Sequence, residues 1–286
     1  MKKLLFQFDT DRHASVFDTV VAYDGGADHV IGHAGLTPET VGALVDGTIF
    51  TRPPKDKKNT AIFVGGSDME AGEALLAAVK KRFFADFRVS VMLDSNGSNT
   101  TAAACIAKLM TSGSIEGKRA VVLAGTGPVG QRSALMLARA GAKEIILTSR
   151  QQARADKTAK ELKYRFDIDV IPVEAGSPEE RARILEGAQI LVATGATGVE
   201  LLKEDHWALN PTLELVADAN AAPPLGLGGI DMMDRGIDRQ GKKVWGAIGF
   251  GTLKLAVHRA CIATLFETNT AVLNAEAIFE IAREMA

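Results

Sequence analysis

Short apolar runs alternate along the chain with stretches whose apolar residues recur at helical spacing, and turn-forming residues punctuate the two. Residues 3–8 read as a strand, 15–22 as a helix and 29–31 as a short strand. Thr37-Pro38-Glu39 supplies a cap followed by a first-turn proline, which starts a helix towards Val45. Residues 60–64 form another strand, Ser67-Asp68-Met69-Glu70 a capping box opening a helix to about Phe84, and 89–93 a further strand. Asn96-Gly97-Ser98-Asn99 marks a turn, and 100–110 a linking helix. Strands follow near residues 119, 144, 168, 189, 213 and 244, with a second capping box at Ser177-Pro178-Glu179-Glu180. Helices over about 252–266 and 274–285 end the chain.

Strand–helix alternation of this kind argues for parallel sheets. The expected fold is α/β: a Rossmann-type doubly wound parallel sheet over residues 99–251, with a second, smaller α/β domain over 1–98. The helices of 252–286 follow the last expected strand and can return to that first domain.

The segment RAVVLAGTGPVGQRSALMLARAGAKEIILTSR, residues 119–150, carries the most specific pattern. Residues 121–124 read as a buried strand, Gly125-Thr126-Gly127-Pro128-Val129-Gly130 as a turn, 131–140 as a helix and 144–148 as the next strand. In this setting Gly125 permits the tight turn, Gly127 lets backbone approach a pyrophosphate, and Gly130 lets helix and strand pack closely. The helix start offers unpaired N–H groups and a positive dipole end to phosphate. A purely structural turn is the other reading of such glycines; the flanking strands and helix favour a dinucleotide site.

The end of the following strand bears on which dinucleotide. An NAD site places a carboxylate about 20 residues past the turn, to hold the ribose hydroxyls. Here the strand runs into Thr148-Ser149-Arg150-Gln151-Gln152. A hydroxyl beside a guanidinium suits the 2′-phosphate of NADP, because Arg presents a planar fork of donors and a permanent charge. Alternatively, Arg150 is a solvated residue that opens the next helix.

Composition narrows the remaining classes. At 286 residues with 47% hydrophobic content, the chain can build two domains of ordinary size. Its 33 basic and 35 acidic residues nearly balance, so no global field gathers nucleic acid or an anionic membrane. Cys105 and Cys261 both sit in apolar helical patterns, as buried thiols of a reducing compartment would. The opening MKKLLFQFDTD has two lysines before an apolar run, but Gln7, Asp9 and Asp11 stop it short of a secretion signal. No stretch reaches the roughly 18 apolar residues of a membrane span. A cytoplasmic protein is expected.

Ligands of open α/β sheets bind beyond the carboxyl ends of strands. Four polar or glycine-rich loops are expected there: residues 94–99, 194–198, 218–221 and 246–251. Thr194, Gly195 and Asn220, on the dinucleotide side, are assigned to the cofactor. Lys254 follows Gly249-Phe250-Gly251-Thr252 and is expected in the first turn of an apolar helix, where a cation opposes the dipole. An anionic or carbonyl-bearing ligand would offset that cost; a solvated lysine is the alternative. His258 comes four residues later and is read as structural more readily than catalytic. There is no G-x-S-x-G, no H-E-x-x-H and no metal-ligand spacing among the histidines.

MKKLLFQFDTD, FDTVVAYDGGADH, TAIFVGGSDMEAGE, FRVSVMLDSNGSNTTAAA, VVLAGTGPVG, ADANAAPPLGLGGID and GTLKLAVHRACIA together resemble the NADP-dependent methylene-tetrahydromethanopterin dehydrogenases of methylotrophic bacteria. The resemblance covers nearly the whole chain in one register. It implies an oxidoreductase that passes a hydride from methylene-tetrahydromethanopterin, and from methylene-tetrahydrofolate, to NADP, giving the methenyl form. It also implies a homo-oligomer with the reduced pterin in the cleft between domains. It puts the cofactor on Gly125, Thr126, Gly127, Pro128, Val129 and Gly130, with Ser149 and Arg150. The substrate falls near Asp94, Asn96, Asn99, Thr100 and Thr101, and Lys254 becomes the candidate active-site lysine. The wider folate dehydrogenase–cyclohydrolases carry a Tyr-x-x-x-Lys motif; here Tyr23 is followed at that spacing by Ala27 and Tyr164 by Ile168, which speaks against a cyclohydrolase.

Two other classes share part of this pattern. A shikimate-type dehydrogenase has a similar two-domain outline but needs an acid–base pair that the sequence does not reveal. A non-catalytic NADP-sensing module would use its second domain for a protein partner.

Overall fold

The computed structural model describes residues 1–286 and divides the chain into two compact units. One comprises Met1–Thr100 with Leu255–Met285, the other Thr101–Lys254. The observed fold is the α/β class expected from the sequence, with a Rossmann-type sheet in the second unit.

The first unit contains β1 (Leu4–Asp9), α1 (Val16–Asp24), β2 (His29–His33), α2 (Gly42–Phe50), β3 (Thr60–Gly65), α3 (Met69–Lys81) and β4 (Ser90–Leu93). Helix α4 (Ser98–Ser112) begins in it. Its parallel sheet has the order β12-β4-β3-β1-β2, where β12 is the short Val272–Leu273 strand near the C-terminus. Every residue of β3 is buried, as a central parallel strand covered on both faces requires. Phe8, Ile62, Val64 and Val91 from the sheet pack with Val45, Ile49, Leu75 and Val79 from α2 and α3.

The second unit contains β5 (Arg119–Leu123), α5 (Pro128–Arg139), β6 (Glu144–Ser149), α6 (Gln152–Phe166), β7 (Ile171–Glu174), α7 (Pro178–Ile184), β8 (Ile190–Ala193), β9 (Leu215–Asp218), β10 (Arg235–Arg239) and β11 (Lys242–Trp245). The strand order is β10-β11-β9-β8-β5-β6-β7, parallel throughout except for the β10–β11 hairpin. Strand β5 lies between β6 and β8, so the order reverses at β5 and its carboxyl end is the crevice in which such sheets take ligands. Trp207 fills the core beside Leu191, Val216 and Val244, and its indole N–H donates to Gly228 O at 2.9 Å.

Helix α8 (Ala247–Thr264) begins in the second unit and ends in the first, and α9 (Ala275–Met285) closes the chain. No helix is long and apolar enough to cross a membrane.

Several local expectations are corrected. Thr37-Pro38-Glu39 closes a separate turn, in which Thr37 N donates to the Thr40 hydroxyl and Val41 N to Thr37 O, so α2 starts at Gly42 and runs to Phe50. Ser67 does not cap α3: its N–H and hydroxyl both donate to the Asp11 carboxylate, and Asp68 caps instead by accepting from Ala71 N. Helix α3 stops at Lys81, short of Phe84. The expected strand near 168 begins at Ile171, because α6 continues to Phe166 and ends on Asp167 in the left-handed region. Hairpin strand β10 was not expected; its two-residue loop, Gln240-Gly241, has positive φ at both positions, as a type I′ turn requires. The Ser177 capping box is present as read, with Glu180 N donating to the Ser177 hydroxyl and Ser177 N to the Glu180 carboxylate.

Candidate functional site

At the carboxyl end of β5 the chain turns through Ala124, which takes a positive φ of 52°. Two bonds from β6 hold this turn: Ala124 N donates to the Thr148 hydroxyl at 3.0 Å and Gly125 N to Thr148 O at 2.9 Å. Side chains are excluded at Gly125, where a Cβ would stand 2.8 Å from Leu147 Cγ, and at Gly130, where it would stand 2.5 Å from Gly125 Cα. Gly127 differs, since nothing lies within 4 Å of its Cβ position and its φ of −80° suits any residue. No internal contact requires glycine there, and the open backbone leaves room for a pyrophosphate to approach.

Helix α5 starts at Pro128, before the expected Gln131, so Val129 and Gly130 lie in its first turn. Gln131 N makes the first bond back, to Gly127 O at 3.0 Å, and the Gln131 side-chain amide donates to Thr126 O at 3.0 Å. The amides of Val129 and Gly130 precede that bond and sit at the positive end of the helix. Together with the open face of Gly127 they fit a dinucleotide phosphate.

Strand β6 ends on buried Ser149, followed by exposed Arg150. The Ser149 hydroxyl accepts from Gln151 N at 3.3 Å. The carboxyl end of this strand, residues 148–152, has no carboxylate of its own. The neighbouring β7 brings one: Glu174 accepts from Gln152 N through its carboxylate, while Glu174 N donates to the Gln152 side chain, both at 2.9 Å. Only the pairing of β6 with β7 creates that contact, so local sequence holds no sign of it.

Thr194 follows β8 and bonds through both N–H and hydroxyl to Leu123 O, at 3.1 and 2.9 Å, fixing the loop beside the glycine turn. Gly195 lies against Leu201, whose Cδ1 would be 3.0 Å from a Cβ. Asn220 is buried after β9, and its side-chain amide donates to Ala196 O at 3.1 Å, joining the loops after β8 and β9. Asp218 anchors the second loop by accepting from Asn220 N at 2.9 Å and Leu227 N at 2.8 Å. Burial pushes its carboxyl up to about 6, against the pull of those amides.

In the first unit, Asp94 ends β4 as a buried anchor. Its carboxylate accepts from Asn99 N, Thr100 N and the Thr100 hydroxyl, the last at 2.6 Å, while the Asn99 amide donates to Leu93 O at 2.6 Å. Asp94, Asn99 and Thr100, expected at the substrate, are thus buried in the scaffold that starts α4. Asn96 is exposed, in the left-handed region at φ 54°, and Thr101 is half-buried.

Two further loops meet this one and were missed. Asn96 N donates to Gly66 O at 2.7 Å, tying the loop after β4 to the loop after β3. Gly66 has φ 110°, and a Cβ there would fall 1.9 Å from the Thr10 hydroxyl, in the loop after β1. Asp9 completes this arrangement, its carboxylate accepting from Asp11 N and Ser15 N. Gly65-Gly66 directly after an apolar strand was the available signal.

Lys254 is half-buried in the third turn of α8, not in the first. The early start of α8 has a packing cause. A Cβ on Gly246 would stand 2.2 Å from Asp231 O and one on Gly249 1.8 Å from Asp234 O, while the amides of Ile248 and Gly249 donate to Met232 O. Glycines that read as a loop are close-approach positions, and the dipole argument for Lys254 lapses. His258 is fully buried, stacked on Phe63 at 5.5 Å with Phe17 at 6.3 Å. Burial raises both thiols, that of Cys261 to about 12, so neither is a nucleophile.

Known proteins bear on this geometry. The family profile described as methylene-tetrahydromethanopterin dehydrogenase, N-terminal, matches residues 16–96, and a KR domain profile matches residues 119–195. Among solved structures, the ligand-free 5-ketofructose reductase of Gluconobacter sp. strain CHM43 aligns with TM-score 0.54 and 16% identity, covering 100% of this chain and 99% of that one. Shikimate 5-dehydrogenase from Listeria monocytogenes, in complex with shikimate and NAD, gives TM-score 0.54 and 16% identity over 98% and 96%. At such identities these likenesses show the fold alone. In sequence, the bifunctional protein MdtA of Methylorubrum extorquens is 55% identical across 100% of this chain and 99% of its own length. An NAD(P)-dependent methylenetetrahydromethanopterin dehydrogenase of the same organism is 33% identical over 81% of this chain and 80% of its own. With relatives of that identity and coverage, the chain belongs to the methylene-tetrahydromethanopterin dehydrogenase family.

Proposed function

We propose that the protein oxidises the methylene group carried on the two nitrogens of tetrahydromethanopterin to a methenyl group, with NADP as acceptor, and acts likewise on methylene-tetrahydrofolate. The observation that carries this reading is the full-length relationship to the family, joined to a glycine turn whose middle glycine is open to a ligand. Hydride, with its electron pair, leaves the methylene carbon. The lone pairs of the flanking nitrogens stabilise the cation that remains, so no enzyme base has to remove a proton. When bound, the oxidised nicotinamide supplies the hydride acceptor.

What the chain supplies is orientation and exclusion of water. Gly127 and the amides of Val129 and Gly130 hold the pyrophosphate; Ser149 and Arg150 hold the 2′-phosphate. Thr194, Gly195 and Asn220 shape the loops on the nicotinamide side. Lys254 anchors or polarises the pterin, with Asn96 of the loop after β4 and Thr101 of the first turn of α4 as further groups for it. Asp94, Asn99 and Thr100 act through the shape of that loop. The protein works as a homo-oligomer in the cytoplasm.

Steady-state assays with both methylene carriers, each with NAD and with NADP, test the reading. Turnover of either carrier with preference for NADP is expected. Cofactor binding without turnover of any reduced pterin would favour a sensing module. Turnover of a small hydroxy acid would favour the shikimate-type reading.

A further inference from the structure

Arg181 is buried, at 8% exposure, in the short helix α7. Its guanidinium donates to Leu201 O at 3.1 Å and to Gly176 O at 3.0 Å. Gly176 lies in the loop after β7 and Leu201 in the segment after β8, so one side chain joins two of the loops at the carboxyl edge of the sheet. Both acceptors are neutral carbonyls. The adjacent Glu180 carboxylate is engaged by the amides of Gly176 and Ser177 in the capping box. A buried guanidinium hydrogen-bonded only to carbonyls, with its carboxylate neighbours engaged elsewhere or at longer range, gains from an anion that arrives beside it.

A second cation stands near. Burial lowers the Arg181 pKa first, the positive charge of Arg150 lowers it further, and the Glu180 and Glu179 carboxylates oppose both. Arg150 is the exposed residue directly after β6, at the position proposed for the 2′-phosphate. One guanidinium directly after β6 and another in α7 repel each other in the free protein, and a dianion at Arg150 turns that repulsion into attraction for both.

We infer that Arg181 is a specificity and positioning residue for the adenosine end of the cofactor, holding the loops after β7 and β8 in place and adding a fixed positive charge behind Arg150 for a 2′-phosphate. The inference rests on the proposed NADP reading. It deepens that reading by assigning discrimination to a buried residue as well as to the exposed Arg150.

The test uses the full chain and calorimetric affinities for NADP and NAD. Arg181→Lys keeps the charge and loses the fork; Arg181→Met removes both. Expected is a fall in the NADP-to-NAD affinity ratio of about tenfold for Arg181→Met and less for Arg181→Lys, with NAD affinity nearly unchanged. Equal loss for both cofactors, or no loss, would overturn the inference and leave Arg181 a loop tie only. Should both variants fail to fold, phosphorus NMR of NADP bound to Arg150→Ala decides. A 2′-phosphate that still ionises below its free value of about 6 supports a second cation; one that titrates as in free solution excludes it. If Arg150→Ala itself leaves the NADP-to-NAD ratio intact while Arg181→Met lowers it, the Arg150 assignment fails and that of Arg181 stands. If Arg150→Ala lowers the ratio and Arg181→Met does not, this inference alone fails.

Discussion

Gly130 packs so closely on Gly125 that a Cβ added to Gly130 would stand 2.5 Å from the Gly125 Cα, whereas two turn positions away Gly127 has nothing within 4 Å. The three glycines of one motif therefore answer to different neighbours, and substitution separates them. Gly130→Ala forces backbone apart between β5 and α5 and is expected to lower the melting temperature by several degrees, for a cost of about 1–3 kcal/mol. In Gly127→Val the Cβ stands clear of internal atoms and φ stays allowed, so the variant is expected to fold with a melting temperature close to wild type and to lose dinucleotide binding. Calorimetry with NADP reads the second effect. Equal affinity in Gly127→Val would reduce the motif to a structural turn.

Arg150→Ala is expected to weaken NADP by about 1.5–3 kcal/mol, because a charge-assisted contact to the 2′-phosphate is lost, and to leave NAD nearly unaffected. The ratio of NADP to NAD kcat/KM measures this directly. An unchanged ratio removes Arg150 from the site.

Asp218 makes a prediction about pH. Its carboxyl is raised from 3.8 to about 6 in the folded protein by burial. A raised folded-state pKa means the folded form holds its proton longer than the unfolded chain does, so the stability from this group is fully present below about 3.8 and is lost as pH rises through 6. The change is on the order of 3 kcal/mol at most. Urea unfolding of the wild type and of Asp218→Asn at several pH values between 4 and 7.5 isolates it. Asp218→Asn is expected to be less stable at every pH, since it places N–H groups against the amides of Asn220 and Leu227. The gap should narrow as pH rises. A gap that stays constant means that Asp218 does not titrate in this range.

What was legible in the sequence follows the range of the interactions involved. The glycine turn is local: strand, turn, helix and the bond to Thr148 fall within thirty-odd residues, and the pattern 125–130 carries them. The Ser177 capping box is equally local and was read correctly. Asp94, Asn99 and Thr100 show the opposite case, because a polar run after a strand looks the same whether its side chains face a ligand or fold back on the chain. Here a carboxylate accepting three bonds at a helix start settles it. Gly246 and Gly249 misled in another way: low helix propensity delayed the expected start of α8, while the contact that requires glycine comes from 231–234 in a separate loop. Glu174 beside Gln152 and Arg181 between two loops depend on strand order, which no window of sequence displays.

Lys254 is the sharpest case for separating a site residue from a structural one. It sits half-buried in the middle of α8, where a helix tolerates Lys and Met almost equally. Lys254→Met keeps most of the apolar stem and removes the ammonium, so a lysine with no role in site or packing predicts little change in either stability or activity. An anchoring or polarising role predicts a fall in kcat/KM for the methylene carrier on the order of a hundredfold, with NADP affinity and melting temperature close to wild type. Loss carried by KM alone would mean that the ammonium binds carrier and transition state equally. Loss in kcat as well would mean that it acts where charge develops on the pterin nitrogens. If the melting temperature falls and activity per folded molecule does not, Lys254 is structural, and the exposed Asn96 becomes the first alternative anchor, to be tested as Asn96→Ala in the same assay.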